Sequence, residues 1–413
     1  MSRVILDGGE GLPTYVVVGE RVVDVCAEPV EARVGDKRLD CAWDEHVTVR
    51  PGNINAHTHV YSGLAPLGMP APQPPPRAFL QILERVWWRL DRALDRETLR
   101  AAARLYLAEA LLSGTTAILD HHESPELIEG SLDILADAAE ELGMRLVTCY
   151  GATERNGGPE EARRGLDECA RFVRERRSRI VRGMVGLHAS FTVSDATIRR
   201  AGELAHELEV PVHVHVAEDA ADVADARERG YEGPLERLFA LGCAPPGSIF
   251  AHGVHLQEQQ VRHADEAGVW LVHNPRSNEG NRVGYARFLA ASARVALGTD
   301  GYPADMRAER AALARIGGEH GDPCAADPWL IEQRAAGGFR LMGERFAGRF
   351  GSPVGPGSFA DLVVSSGDGP PHHVLVAGRV VVDEGILIGA NIAAIHAEAA
   401  AQAPRLWQAM GAP

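Results

Sequence analysis

The segment Asn53-Ile54-Asn55-Ala56-His57-Thr58-His59, entered through Pro51-Gly52, decides how this chain is read. A short apolar run ending in two histidines one residue apart is strand-like, and residues two apart on a strand project to the same face. Both imidazoles can therefore reach one metal ion from a single strand end. Working outward, the same texture recurs. Strand-like runs at 53–59, 115–121, 145–151, 182–188, 211–217, 248–253, 269–274 and 295–300 alternate with amphipathic stretches such as Glu97–Ser113, Pro125–Leu142, Glu160–Arg177, Asp195–Leu208 and Gln257–Ala267. Eight such alternations predict an α/β fold, a (β/α)8 TIM-like barrel. An open doubly wound sheet would bring a glycine-rich phosphate fingerprint after its first strand, and the sequence has none there.

Short β segments with turn residues fill the first fifty positions, and Gly-punctuated β runs return near the other end. The expected organisation is a small β-sandwich built from 1–50 and 354–390, a barrel over 51–353 and a C-terminal helix over 391–413. Between Pro70 and Pro76 stand five prolines, predicting a stiff extended loop across the barrel mouth, either a lid or a spacer.

Composition narrows the function. A net charge of −15 and the lack of a basic stripe exclude a nucleic-acid surface. No apolar run approaches a membrane span, and none at the N-terminus has signal-peptide length. Six cysteines without CxxC spacing read as reduced thiols, so a cytoplasmic protein is expected.

Catalytic groups of such barrels sit at the C-terminal ends of the strands. Most of the 17 histidines fall at those ends here. His57, His59, His215 and Asp300 offer three imidazoles and a carboxylate, a suitable ligand set for Zn²⁺. His213 shares a face with His215 but lies deeper in the barrel and reads as a packed, hydrogen-bonded histidine, with a competing ligand role as the alternative. Glu218, three residues past His215, can carry a proton between a metal-activated water and a leaving amine. His252 can polarise the atom under attack or orient the water.

These residues resemble the amidohydrolase superfamily, in its branch of hydrolytic deaminases and chlorohydrolases. That family's HxH on strand one, HxxE on strand five, His on strand six and Asp on strand eight read here as His57/His59, His215/Glu218, His252 and Asp300. Phe250-Ala251-His252-Gly253, His273-Asn274-Pro275-Arg276-Ser277-Asn278 and Leu297-Gly298-Thr299-Asp300-Gly301 follow the branch closely. Trp87-Trp88-Arg89-Leu90-Asp91-Arg92-Ala93-Leu94-Asp95 and Asp120-His121-His122-Glu123-Ser124-Pro125 are similar to SsnA-type aminohydrolases.

The resemblance implies one divalent ion, Zn²⁺ or alternatively Fe²⁺, on His57, His59, His215 and Asp300. Glu218 and His252 would handle protons, and Asp300 would orient the water. Two-metal members commonly carry a carbamylated lysine on strand four, where this chain has His188; its only lysine is Lys37. Substrate contacts are expected from His122, Trp88, Thr153, Arg155, His188 and Asn278. The expected activity is deamination of an amino-substituted N-heterocycle by a homo-oligomer acting on a small molecule. Hydrolytic opening of a cyclic amide is the alternative, and a non-catalytic metal-binding scaffold the remaining one.

Overall fold

Eight parallel strands form the barrel: Asn53–Thr58, Thr115–His122, Arg145–Ala152, Val185–Ala189, Val212–Val216, Ile249–His252, Trp270–His273 and Val295–Leu297. Nearly all their residues are buried, as expected of parallel strands covered by helices on the outside and packed side chains within. In this computed structural model all residues are described except 1, 2, 10, 11, 29, 45, 368, 412 and 413. The ends of the expected N-terminal β unit and C-terminal helix thus lie outside the described residues. Among the described residues no helix is long and apolar enough to cross a membrane.

Every expected barrel strand is present, with two differences. The fourth is broken, Val181–Gly183 pairing beside the third strand before Val185–Ala189 continues the barrel. The eighth ends at Leu297, because Asp300 turns into the left-handed region at φ 52°. Helix boundaries follow local chemistry: Asp95 and Thr98 form a reciprocal cap on Arg96–Leu112, and Ser194 caps Asp195–Leu208.

Closure falls between the eighth strand and the first. Thr299 N and Asp300 N donate to His57 O at 2.9 and 3.0 Å, His59 N donates to Asp300 O at 3.2 Å, and Thr58 Oγ1 donates to the same carbonyl at 2.7 Å. The seam is therefore stitched by the backbone of the very residues that carry the candidate ligands.

Two small sheets come from the termini. Arg21–Cys26, Thr14–Val18, Arg3–Asp7 and Lys37–Asp40 form one; Ile386–Leu387, Arg379–Asp383, His373–Val376, Leu362–Ser366 and Val47–Pro51 form the other. Val4, Leu6, Val17, Leu362, Val364 and Leu375 share one core between them. Arg145, at the start of the third barrel strand, anchors this unit to the barrel. Its Nε and Nη2 donate to Asp361 Oδ1 and Oδ2 at 2.7 and 3.0 Å, and its guanidinium carbon lies 4.6 Å from the Phe359 ring centre. The helix Ile392–Gly411 packs on Arg96–Leu112 and exchanges ion pairs with it through Glu398 and Arg405.

Candidate active site and metal centre

Period-two alternation on the barrel strands brings the histidines into one buried cluster. His57 and His59 from the first strand, His121 from the second and His213 and His215 from the fifth all face the interior. Their hydrogen bonds fix which nitrogen is free. His59 Nδ1 donates to the His121 carbonyl at 2.6 Å and His215 Nδ1 to the His188 carbonyl at 2.5 Å, so both present an Nε2 lone pair. His252 Nδ1 donates to Asn278 Oδ1 at 2.8 Å, which leaves its Nε2 as a lone pair as well. His57 Nδ1 meets His213 Nε2 at 2.9 Å. His213 is thereby occupied behind His57.

The free atoms converge. His59 Nε2 lies 3.2 Å from His215 Nε2 and 2.9 Å from Asp300 Oδ1, and His57 Nε2 lies 3.3 Å from that same oxygen. The donor atoms of His57, His215, His252 and Asp300 all fall within 4.8 Å of one another, and an overlapping group joins His59, His121 and His215. Lone pairs this close repel unless a cation lies among them. The Nε2 atoms of His57 and His252 are buried without a hydrogen-bond partner. Three or more imidazoles and a carboxylate with such orphaned donors fit a divalent metal ion.

Charges around the cluster are strongly displaced. Burial brings His57 down to about 3 and pushes His215 well below the ordinary histidine range. For His59 burial acts the same way, yet the Glu123 and Asp300 carboxylates outweigh it and raise the group to about 10, so a cation on its Nε2, proton or metal ion, is strongly favoured. Burial, then the neighbouring Asp300 charge, holds Glu218 well above the usual carboxylate range. Asp300 goes the other way: its bonds to His57 and His59 overcome burial and hold it well below that range. Two carboxyl groups with opposed environments are the pattern of an acid–base site.

A cavity opens beside the cluster. Its apolar wall is Phe79, Leu83, Trp87, Trp88 and Phe191; the carboxylates of Asp91, Glu123, Glu218, Asp222 and Asp300 also line it, and no lysine or arginine does among the described residues. Leu83–Trp87 is a π-helical turn leading directly into Trp88–Ala93, and both consecutive indoles reach the cavity. The proline run lies just before this segment, and Arg85 ties the two together by donating to Pro74 O at 3.0 Å.

The structure brings some expected contacts to the cavity and leaves others behind it. Trp88 and His188 line it. His122 points away, bonded to Ser124 Oγ at 2.8 Å and flanked by the Tyr61 and Tyr150 rings. Arg155 Nη2 donates to Asp91 Oδ2 at 2.7 Å, and its Nε donates to Thr153 Oγ1 at 3.2 Å, so neither Arg155 nor Thr153 is in the cavity lining. Asn278 is spent on His252. Sequence reasoning missed Glu123, whose Oε1 lies 2.8 Å from His121 Nδ1. Alternation could have found it: 121 and 123 share a face, and 122 does not.

Gly298 shows how little room the seam leaves. A Cβ there would meet Asn274 Oδ1 at 2.5 Å and His57 O at 2.6 Å. Gly298→Ala should cost about 1–3 kcal/mol, as other overpacked interiors do, and lower metal occupancy with it. Calorimetry and metal analysis on one preparation check this.

A model of the amidohydrolase family matches residues 48–324. The chain belongs to the amidohydrolase family. A 5-methylthioadenosine/S-adenosylhomocysteine deaminase of Natronomonas pharaonis is 31% identical over 404 residues, spanning 91% of this chain and 88% of that protein. An 8-oxoguanine deaminase of Pseudomonas aeruginosa is 29% identical over 447 residues, spanning 97% and 96%. Among solved structures, a zinc-bound adenosine deaminase from Xanthomonas campestris superposes with TM-score 0.82 at 25% identity over 98% of each chain. The fold is also that of a zinc-bound atrazine chlorohydrolase from Arthrobacter aurescens, at TM-score 0.80, 21% identity and 97% and 100% coverage. With its donor cluster, this amidohydrolase-family chain is a metal-dependent hydrolase.

Proposed function

We propose that the protein deaminates an amino-substituted N-heterocycle by hydrolysis, with one Zn²⁺ held by His57, His59, His215 and Asp300. The observation that carries this reading is Glu218. It is a buried carboxyl biased toward its neutral form, 3.7 Å from His252 Nε2, at the meeting point of the donor cluster and the cavity. A bound divalent ion supplies Lewis-acid activation, lowering the pKa of a coordinated water from ~15.7 toward ~7.

The chain's own residues do the rest. In its ionised form, which a nearby divalent cation would favour, Glu218 accepts the proton released from the attacking water; in its neutral form, which burial favours, it delivers that proton to the departing amino nitrogen. Asp300 orients that water. His252 contributes as an acceptor, because its Nδ1–H is committed to Asn278 and burial keeps the ring neutral. Of the two roles considered from sequence, orienting the water is therefore the one its tautomer supports. Trp87, Trp88 and Phe191 offer faces on which a flat ring can stack. With no lysine or arginine among the described lining residues, the Glu123 and Asp300 carboxylates disfavour anionic substrates and can accept N–H groups, which suits an aminated heterocycle.

Relatives named for adenosine-type and 8-oxoguanine substrates support deamination. Six free cysteines support a reducing, cytoplasmic setting. The test is ammonia release over purines, pyrimidines, pterins and triazines, with metal content measured on the same sample. Ammonia from one class, with one zinc per chain, is expected. Full metal with no ammonia from any member would sink the proposal and favour ring opening, which frees none.

A further inference from the structure

Immediately after the seventh strand, Pro275–Gly280 forms one short helix, with Asn281 at its end. Three side-chain bonds of this segment go to the site and a fourth links two of its own residues. Ser277 Oγ donates to Asp300 Oδ2. Asn278 Oδ1 accepts from His252 Nδ1 at 2.8 Å. Asn281 Nδ2 donates to Glu218 Oε1 at 3.3 Å and to Ser277 Oγ at 3.2 Å, closing the set on itself. Positions 277 and 281 are one turn apart and share a helix face, and 278 is the next position round. One turn of helix thus touches a candidate metal ligand, the water-orienting histidine and the proton carrier, which come from strands eight, six and five.

Two of these three need holding. His252 and Asp300 adopt left-handed backbone, at φ 74° and 52°, a region that non-glycine residues occupy only when their surroundings fix them. The helix itself is anchored from outside the site. Arg276 N donates to Glu309 Oε1 at 2.9 Å, its guanidinium pairs with the same buried carboxylate, and Nη2 donates to Pro303 O at 2.8 Å. The platform is therefore tied to the loop and helix that follow Asp300.

We propose that Ser277, Asn278 and Asn281 are positioning residues that set the geometry of Asp300, His252 and Glu218 as one unit. Asn278 selects the His252 tautomer whose Nε2 accepts; Ser277 aims the Asp300 carboxylate; Asn281 holds Glu218 toward the cavity. Ser277 and Asn278 lie outside the cavity lining; Asn281 is in it, and its proposed role runs through Glu218. This inference rests on the catalytic reading of Glu218 and His252 above, and the experiment separates the two.

The zinc-loaded protein is compared with N278L, N278D, S277A, N281A and, as a control for the catalytic reading, E218Q. N281A and N278L should lose roughly 10–100-fold in kcat, the usual cost of removing an outer-shell partner, with KM changed far less. N278D keeps an acceptor for Nδ1–H and should recover most of the N278L loss, although a buried carboxylate is the harsher change for folding. S277A should weaken zinc about 10-fold in chelator competition. Nitrogen-15 NMR of labelled histidines gives a readout independent of turnover: the His252 Nδ1–H tautomer persists in N278D and is lost in N278L. Should N278L fail to fold, S277A and N281A still decide the matter. An inactive E218Q beside N281A and N278L at wild-type kcat would overturn the positioning role alone. An E218Q enzyme at full rate would instead overturn the catalytic reading.

Discussion

Glu218→Gln lowers kcat for ammonia release by roughly 10²- to 10⁴-fold, the range for removing a positioned acid–base group, and leaves zinc content and melting temperature close to wild type. The substitution is nearly isosteric, and a glutamine oxygen can still accept from Asn281 Nδ2 as Glu218 Oε1 does at 3.3 Å. What disappears is the titratable proton. Because burial and the Asp300 charge already bias Glu218 toward its neutral form, a neutral amide places no new burden on folding. Substrate should still bind, so KM moves little while kcat falls. Retained turnover in the variant would remove Glu218 from the mechanism.

A second large effect is structural. Arg145→Met should destabilise the protein by about 3–5 kcal/mol, because removing one partner of a buried pair strands the other charge. Asp361 is itself buried and would face the protein interior unpaired. The double variant Arg145→Met/Asp361→Leu should regain much of the loss, since apolar replacement of both partners is often neutral or better. Urea unfolding of the single and double variants measures this. The pair lies at the N-terminal end of the third strand, away from the ligand-bearing ends, so turnover per folded molecule should hold. A single variant within about 1 kcal/mol of wild type would show that Arg145 does not secure the junction.

The barrel was legible because its strands carry unambiguous periodicity and their ends are marked by histidines and acids. Alternation placed His57 with His59 and His215 with His213 on shared faces, and the structure keeps them there. Legibility faded where a residue's direction is set by something distant in sequence. Asn278 reads as a substrate contact until the docking of its helix is known, and that docking depends on Arg276 meeting Glu309. Arg155 stands in a loop beyond the third strand, where no period applies, and Asp91 draws it aside. The π-helical turn that exposes both Trp87 and Trp88 breaks the 3.6-residue repeat on which a helical reading relies. For His122 strand parity is the deciding signal, pointing Glu123 and not His122 inward.

The seam joining His57, Thr58 and Asp300 has a consequence for biogenesis. The candidate ligands on its two sides come from opposite ends of the barrel sequence, and neither side is complete without the other. A nascent chain still short of Asp300 carries His57, His59 and His215 but neither the carboxylate nor the seam that closes the site. The complete donor set therefore forms only when the barrel closes, so tight metal binding marks a chain folded through its last strand. Retention of the ion then acts as a stamp of finished assembly, and chains truncated before Asp300 should lose it readily to a chelator.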